Sequence, residues 1–247
     1  FAFTGNKFEF RAPGSSQCCA GPMMILNTIV ADSLDKIAAE LEGFNGKDFN
    51  KKLQKLLQNI IKTHKRVLFN GDNYTADWRQ EAARRGLPNA ESTPEALDAF
   101  RNPENIELFA RHGVFTAKEM ESRYEVFGEE YRRKIGIEGQ VGLEIVRSMI
   151  IPAVTAEYTG ALNGLNAAAA AGLNAGCSAL RETAEKLGAG LDELNDKCNC
   201  LETALRDNAG DILPLLSSLR ETVDAMELMV ADSRWPLPKY REMLFVY

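Results

Sequence analysis

Histidine is scarce in this sequence, and its cysteines form no regular pattern. The two histidines, His64 and His112, are too few and too widely spaced to build a zinc site with cysteine. The five cysteines are Cys18, Cys19, Cys177, Cys198 and Cys200. An odd number, an adjacent pair and a Cys-x-Cys do not make the disulfide framework of a secreted protein. We therefore expect reduced thiols and a cytoplasmic protein.

The sequence also lacks a surplus of positive charge and a long apolar run. Its 29 lysines and arginines are outnumbered by 35 aspartates and glutamates, which gives a formal net charge of −6. A surface that binds nucleic acid phosphates usually leaves a basic surplus, so we expect no nucleic-acid partner. No apolar run approaches the ~20 residues that cross a bilayer, so we expect no membrane partner. A hydrophobic fraction of 45% is typical of a folded globular protein.

One short segment near the start alternates charged and aromatic residues, in the letters "NKFEFR". Neighbouring side chains of a strand point to opposite faces, so Phe8 and Phe10 would enter a core. Lys7, Glu9 and Arg11 would then share the other face. The segment predicts a strand from about residue 3 to residue 11. Since an isolated strand leaves half of its backbone groups unpaired, we expect it to join a sheet upstream of residue 1 or in another chain.

Helical periods dominate the rest of the chain. After the turn-prone letters "APGSS", a helix is predicted from about residue 22 to residue 43. Its apolar stripe consists of Leu26, Val30, Leu34, Ile37 and Leu41. A second amphipathic helix is predicted between residues 49 and 69, and short helices between residues 75 and 115.

The C-terminal half shows the clearest period. Thr116 and Glu119 have the spacing of a capping box. Glycines between residues 136 and 142 predict a break in the helix that follows, and Pro152 predicts a kink.

Apolar residues then recur at alternating intervals of four and three, from Leu173 to Leu205 and again from residue 212 to residue 230. This spacing is typical of left-handed helix packing and predicts three long helices in an antiparallel bundle. The aromatic segment from residue 233 to residue 245 is expected to be an extended tail that docks on another surface. These patterns together predict a mainly α fold with a short β-segment (α+β).

The three charges of the predicted strand are suited to binding anions through a metal. A carboxylate between two cations stays ionised, so it is a poor general base and a good ligand for Mg²⁺ or Mn²⁺. The two cations can meet phosphate or carboxylate groups, and arginine can do so with two hydrogen bonds. The alternative is a solvated outer face of the strand whose charges pair with one another. Both interpretations stay open on these three residues alone.

The opening of the chain resembles the end of the catalytic domain of glutamine synthetase, in the segments "FAFTGNKFEFRAPGSS" and "GPMMILNTIVADSLDKIAAEL". In that family a strand carrying basic-x-Glu-x-Arg leads through a small-residue turn and a proline into a long apolar helix. Later segments resemble the C-terminal extension of the type III branch, in the letters "TPEALDAF", "GVFTAKEMESRYE", "IIPAV" and "RWPLPKYREMLF". The resemblance covers essentially the whole chain.

The resemblance implies roles for the strand residues. Glu9 matches the glutamate that ligates the divalent metal, Mg²⁺ or Mn²⁺, which holds the nucleotide phosphates. Arg11 matches the arginine that contacts the glutamate substrate, and we name it as catalytic. Lys7 stands where many relatives have an arginine near the ATP phosphates; lysine keeps the charge and loses the planar fork. Lys7 and Arg11 are thus the predicted nucleotide-binding residues, and Glu9 the predicted metal ligand.

The resemblance also implies a domain division and a reaction. Residues 1–43 would be the end of a catalytic domain, 44–115 a region of short helices, and 116–247 a C-terminal helical bundle and tail. The reaction would be the ATP-dependent ligation of ammonia to L-glutamate through γ-glutamyl phosphate, giving L-glutamine.

The implied assembly is a homo-oligomer of stacked rings, a dodecamer. The remaining active-site residues of that family are not in this sequence, so we expect the chain alone to be inactive. A non-catalytic helical module for oligomerisation or interaction remains the alternative, with a strand that only docks it to a partner.

Overall fold

The computed structural model describes residues 2–3, 8–9, 17–72, 75–207, 210 and 212–244, of which residues 2–3, 8–9 and 240–241 are described by their backbone alone. The α-helices in these ranges are α1 (Ala20–Leu41), α2 (Gly46–His64), α3 (Ala76–Arg84), α4 (Thr93–Leu97), α5 (Pro103–Arg111), α6 (Ala117–Ile145), α7 (Ile151–Ala170), α8 (Cys177–Arg206), α9 (Leu213–Glu227) and α10 (Tyr240–Leu244). Single 3₁₀ turns lie at Lys65–Val67 and Asp98–Phe100. The chain divides into two compact units, Phe1–Gly128 (unit 1) and Glu129–Tyr247 (unit 2).

The extended backbone at the start of the chain differs from the prediction. Two short strands, β1 (Ala2–Phe3) and β2 (Phe8–Glu9), pair antiparallel, with Phe3 opposite Phe8. A single strand from residue 3 to residue 11 would hold these two phenylalanines roughly 16 Å apart, so that prediction is wrong. Within the described residues, the partner of β2 is β1 of the same chain.

The predicted α+β fold class is wrong as well. A pair of two-residue segments forms no β-layer, and the remaining described residues are helix, turn and loop. The mainly helical class is confirmed. The chain's long amphipathic periods decided the fold, because helices bury their apolar stripes against one another without a sheet.

Helix α1 turns one apolar face toward the rest of unit 1. Its residues Met24 and Ile25 pack against a buried cluster of Phe109, Phe115 and Met120, which we call the aromatic cluster. The rings of Phe109 and Phe115 lie 5.5 Å apart between centroids. This cluster holds α1, α5 and the start of α6 together.

The predicted apolar stripe of α1 is not the face that unit 1 buries. Val30 and Leu34 are 55% and 58% exposed. Thr28 and Asp32 are buried in their place. The helix is apolar on two sides, and the period alone does not say which side meets the neighbouring helices.

Local capping explains where α5 and α6 begin. Asn102 precedes Pro103, and its Oδ1 accepts a hydrogen bond from the backbone N–H of Glu104 at 2.9 Å. The predicted capping box at α6 is confirmed. Thr116 Oγ1 accepts from the N–H of Glu119 at 3.3 Å, and Glu119 Oε2 accepts from the N–H of Thr116 at 2.7 Å.

The long helix α6 has no break at its glycines. It runs continuously from Ala117 to Ile145, so the predicted break at residues 136–142 is wrong. A π-helical segment, Val146–Ile150, joins it directly to α7. Pro152 follows at once and lacks the N–H that would bond the carbonyl of Ser148. The disturbance expected at this proline takes the form of a wider helical turn.

Two glycines of α6 lie where other helices come close. A Cβ atom at Gly139 would lie 2.7 Å from Ile212 Cδ1 and 3.0 Å from Leu205 Cδ2. A Cβ atom at Gly142 would lie 3.3 Å from Leu216 Cδ2. The glycine pattern predicts a break, but in the structure these glycines make room for the side chains of neighbouring helices.

Unit 2 is the antiparallel bundle that the four-three spacing predicts. Helix α7 packs against α8, and α8 packs against α9. Tyr158 approaches Gly188 and Gly164 approaches Leu180, so α7 and α8 run in opposite directions. The buried core of the bundle contains Val146, Ile150, Val154, Leu187, Leu194, Cys198, Leu201, Leu219, Val223 and Met226.

Polar side chains also tie α8 to α9. Lys197 Nζ donates to the Thr222 hydroxyl at 2.7 Å and to the carbonyl of Ser218 at 3.0 Å. The hydroxyl of Thr222 donates to Glu193 Oε1 at 3.0 Å. Because Thr222 is buried, these bonds satisfy a hydroxyl that would otherwise destabilise the core.

The start of the aromatic tail packs on its own bundle. Trp235 is buried in the core of unit 2, and Leu237 packs beside it. Arg234 Nη1 donates to Glu157 Oε2 at 2.8 Å and anchors the tail to α7. For these residues, the prediction of docking on another surface is wrong.

Gly190 provides a test of the close packing between α8 and α9. A Cβ atom there would lie 2.7 Å from Met226 Cε, and Met226 is itself buried. We expect Gly190→Leu to lower the free energy of unfolding by ~1–3 kcal/mol through overpacking. Urea unfolding followed by circular dichroism measures this change.

Gly136→Leu in α6 is the matched control, because no atom lies within 4 Å of a Cβ built at Gly136. The same substitution there is expected to be neutral or to stabilise the helix by up to ~1 kcal/mol. Equal losses in the two variants would contradict the close contact at Gly190.

Candidate functional site

The predicted site of Lys7, Glu9 and Arg11 is described at one position only. The backbone of Glu9 is part of β2 and lies opposite Ala2. The structure describes this residue by its backbone alone. Lys7 and Arg11 lie outside the described residues. The roles given to these three residues therefore stay predictions.

A cluster of charged side chains lies a short way along the chain, between α1 and the end of α5. Asp32 on α1 accepts hydrogen bonds from Arg111 at Oδ1 and from Lys36 Nζ at Oδ2, the latter at 2.7 Å. His112 Nε2 lies 3.4 Å from the same Oδ1. His112 Nδ1 lies 3.8 Å from Asp35 Oδ2. We call these five residues the Asp32 cluster.

The electrostatics of the cluster keep Asp32 ionised. The hydrogen bond from Lys36 lowers the pKa of the Asp32 carboxyl most, the bond from Arg111 adds to this, and His112 contributes less. Loss of hydration opposes the shift and is outweighed, so the pKa lies well below its ordinary value. A carboxylate held this strongly is a poor proton acceptor. The cluster can fix the position of a helix and is unsuited to acid–base catalysis.

His112 lies at the end of a helix. The residue caps the C-terminal end of α5, where a cation is favoured by the helix dipole. Sequence reasoning missed its partner, since Asp32 lies far away in the chain and only the packing of α1 on α5 brings them together. The one available signal was an aspartate in the middle of an apolar helix.

A second ionic group anchors the loop after α2. Arg85 Nη1 donates to the carbonyl of Leu68 at 2.6 Å, and Arg85 Nε donates to Glu81 Oε1 at 2.5 Å. Hydrogen bonds from Arg84 and then Arg85 lower the pKa of Glu81 to about 2. The rings of Phe69 and Trp78 stack nearby, with centroids 4.4 Å apart. These contacts have a structural explanation and indicate no catalytic group.

Unit 2 contains a groove of about 700 Å³ beside α6 and α9. Its floor is apolar and includes Val146, Leu219, Val223 and Trp235. Of its charged lining residues, Arg220 pairs with Asp224 on α9, at 3.4 Å between Nε and Oδ2, and Lys239 pairs with Asp232. The groove could take an apolar group, but its described lining includes no metal-binding cluster.

No group of three or more His, Cys, Asp and Glu side chains is placed to hold a metal ion in the part of the chain that the structure describes. None of the described helices is both long enough and apolar enough to cross a membrane. Cys18 and Cys19 are exposed, while Cys198 is buried in the bundle. Burial raises the pKa of the Cys198 thiol, which makes it a core residue of low reactivity.

Comparison with known proteins matches this chain to one family and to several relatives. Residues 52–168 match the glutamine synthetase C-terminal domain family. The type-3 glutamine synthetase of Dictyostelium discoideum is 36% identical over 265 aligned residues, which cover 100% of this chain. Glutamine synthetases of Butyrivibrio fibrisolvens and Bacteroides fragilis are 32% and 31% identical, and each alignment covers 99% of this chain. The resemblance predicted from the sequence is confirmed.

The chain spans a little over a third of the length of these relatives. The matched portion is 36% of the Dictyostelium protein, 37% of the Butyrivibrio protein and 36% of the Bacteroides protein. Most of each relative therefore has no counterpart in the residues described above.

The Asp32 cluster makes a prediction about acid stability. A carboxyl whose pKa is lower in the folded chain stabilises the fold above its unfolded pKa, near 3.9, and this contribution is lost as the pH falls toward the folded value. We expect Asp32→Asn to be less stable than wild type at pH 7 and to lose less stability between pH 5 and pH 2. Thermal unfolding at several pH values measures both effects.

Asp196→Asn, at an exposed position of α8, is the matched control and is expected to keep the wild-type pH dependence. Some acid sensitivity should persist in both variants, because Glu81 also has a lowered pKa. A pH dependence in Asp32→Asn equal to that of wild type would show that the Asp32 ion pairs do not support the fold.

Proposed function

Because this chain belongs to the glutamine synthetase family and carries that family's C-terminal domain, we propose that it forms the C-terminal part of a subunit that joins ammonia to L-glutamate. The reaction uses ATP and gives L-glutamine through γ-glutamyl phosphate. The observation that carries the proposal is similarity to glutamine synthetases along the whole chain. A cytoplasmic location belongs to the same proposal and is supported by the five free cysteines.

The chemistry explains why charged residues are needed. In the first step an oxygen of the glutamate γ-carboxylate attacks the γ-phosphorus of ATP, a new P–O bond forms, and ADP leaves with the electrons of the broken bond. In the second step ammonia attacks the acyl carbon, phosphate leaves, and the nitrogen loses a proton. Both partners of the first step are anions, so cations must offset their repulsion and stabilise the charge on the moving phosphoryl group.

Lys7, Glu9 and Arg11 supply part of this charge in the proposal. Arg11 binds the glutamate substrate through its planar guanidinium, which can bond a carboxylate with two parallel hydrogen bonds. Lys7 lies near the ATP phosphates and lowers their repulsion. The carboxylate of Glu9 provides one oxygen ligand for a divalent cation.

A divalent metal fits these residues in part. Mg²⁺ and Mn²⁺ prefer oxygen ligands, and Mg²⁺ is commonly held by one or two carboxylates with substrate phosphates and water. The described residues contain no cluster that could complete such a site, so the remaining protein ligands would come from the rest of the subunit. When bound, the metal would neutralise phosphate charge.

The described part of the chain contributes a support for the strand. Helix α1 begins at Ala20, shortly after the strand residues, and the Asp32 cluster fastens it to α5. A helix that cannot rotate gives the segment before it a fixed starting point, and rigid support is what a phosphoryl-transfer site needs.

Glu9→Ala in the full-length protein tests the site. We expect ATP-dependent glutamine formation to fall by ~10²-fold or more, because part of the metal-held charge is lost. Mn²⁺ binding, followed by electron paramagnetic resonance, should weaken in the same variant. Light scattering should show an unchanged oligomer, since the substitution alters the site and not the bundle.

Glu42→Ala, at the exposed end of α1, is the matched control and should keep both activity and Mn²⁺ affinity. Full activity in Glu9→Ala would remove the metal-ligand assignment. A wild-type full-length protein that forms no glutamine would favour the alternative, a non-catalytic helical interaction module.

The proposal includes a homo-oligomer of stacked rings, with the helical bundle of unit 2 as a subunit contact. Light scattering of the full-length protein is expected to give the mass of a dodecamer. The mass of a monomer at micromolar concentration would contradict the assembly and would leave the bundle as a stabilising appendage.

A further inference from the structure

Helix α2 is amphipathic, and only part of its apolar side is covered. The helix packs against α1 and contains no fully buried residue. Leu57 and Ile61 are 45% and 61% exposed. Since four residues turn a helix by roughly 400°, these two side chains lie almost in line along one edge of the apolar side. The half-buried row beside them consists of Phe49, Leu53, Leu56 and Ile60.

The same edge of α2 carries positive charge. Residues 46–67, from the start of α2 to the end of the 3₁₀ turn that follows it, contain seven lysines and arginines and one aspartate. Lys62 is next to Ile61 on the polar side, and Lys65 lies one turn beyond Ile61. Neither lysine has an ion-pair partner among the residues that the structure describes. We call Leu57, Ile61, Lys62 and Lys65 the exposed edge of α2.

The groove of unit 2 has the opposite charge at its rim. It follows α9 from Leu213 to Glu227, a length of about 21 Å at 1.5 Å per residue. Glu138 on α6 and Glu227 line it, and both are exposed and lack an ion-pair partner within the described ranges. The basic residues of the lining, Arg220 and Lys239, are each paired with an aspartate. The rim therefore offers negative charge beside an apolar floor.

The exposed edge of α2 and this groove are complementary in length, polarity and charge. About 14 residues of helix span the ~21 Å of the groove, so it can hold most of the 19 residues of α2. Apolar side chains four residues apart, such as Leu57 and Ile61, are the usual anchors of a helix in an apolar groove. The lysines beside these anchors would meet the carboxylates of the rim.

We propose that the exposed edge of α2 in one subunit binds in the groove of unit 2 of a neighbouring subunit. This inference rests on the proposed function, since it takes the chain to be part of a homo-oligomer. It goes beyond that proposal because it names both surfaces of one subunit contact. The two surfaces differ, so the contact is head-to-tail, and head-to-tail contacts that close upon themselves form rings.

An anionic lipid surface is a poorer partner for α2, although basic amphipathic helices do bind such surfaces. Lipid would leave the apolar floor of the groove uncovered. The net charge of −6 on the chain would also oppose its approach to an anionic surface. A second copy of the chain covers both exposed apolar surfaces at once.

Cross-linking in the full-length protein tests the contact between copies. A photo-reactive phenylalanine analogue replaces Leu57, the protein is irradiated, and the products are separated on a denaturing gel and digested for mass spectrometry. We expect a product of twice the subunit mass, in which position 57 is joined to a peptide of α9. The analogue at Lys55, an exposed position on the opposite side of α2, measures the background and should give several-fold less of this product.

A charge exchange tests the pairing of the two surfaces. Glu138→Lys combined with Glu227→Lys would place like charges opposite Lys62 and Lys65, so the product of double mass is expected to fall by ~10-fold. Adding Lys62→Glu and Lys65→Glu restores opposite charges and should return the yield to near that of wild type. Such a recovery cannot come from a misfolded subunit. Glu185→Lys, at an exposed position of α8, is the matched control and should keep the wild-type yield.

A product of single-subunit mass joined to α9 would place the contact within one copy and overturn the proposal. A yield no higher than that at position 55 would also overturn it, and sedimentation of the protein with phosphatidylglycerol vesicles would then assign α2 to a lipid surface. Failure of the charge exchange to restore the yield would exclude the groove as the partner of α2.

Glutamine formation is measured on the same preparations, so the two proposals fail separately. An inactive wild-type protein that gives the product of double mass would refute the proposed reaction and leave the contact in place. An active wild-type protein without that product would do the reverse.

Discussion

The contacts of Asp32 with Arg111 and His112 hold one side of α1 against the end of α5, and the arrangement of unit 1 is built around this contact. Lys36 and Arg111 bind the two carboxylate oxygens, and His112 lies against the one that Arg111 binds. A buried carboxylate is tolerated because its charge is matched by Lys36 and Arg111. When Asp32 faces α5, Met24 and Ile25 contact the aromatic cluster. The opposite face of α1, with Val30 and Leu34, is then exposed. The position of this one charged side chain thus determines which of the two apolar faces of α1 packs inside unit 1.

Unit 2 depends on a different constraint, the distance between helix axes. Gly139, Gly142 and Gly190 lie where side chains of other helices come closest, and a Cβ atom at each would crowd a leucine, isoleucine or methionine. The apolar seam supplies the stabilisation, and the glycines let the helices approach near enough to use it. The buried Thr222 shows that polar bonds were fitted into the same seam without leaving a hydroxyl unpaired.

These two constraints affect function by fixing the positions of helices, and the residues involved supply no catalytic group. The described residues form a scaffold: a helix fastened by ion pairs, a cluster of aromatic rings and a glycine-spaced bundle. Similarity to glutamine synthetases along the whole chain supports the reaction proposed for Lys7, Glu9 and Arg11. A phosphoryl-transfer site assembled from several parts of a subunit needs each part to be rigid, since misplacement of about 1 Å can cost ~10²-fold in rate.

The sequence by itself determined most of the helices, the apolar seam of α8, the capping box at Thr116 and the family; Leu173, at the predicted start of the seam, lies before α8 and is exposed. Each of these features depends on the spacing of residues close together in the chain or on a motif. It can therefore be predicted without knowing which distant residues pack against it. Only the tertiary structure decided that β2 pairs with β1, that Trp235 joins the bundle core, and that α1 packs Met24 and not Val30 against the aromatic cluster. It also decided that Asp32 meets His112, and that glycines in α6 mark close contact and not a break. Those outcomes depend on which distant surfaces meet, and the period of a helix carries no information about its partners.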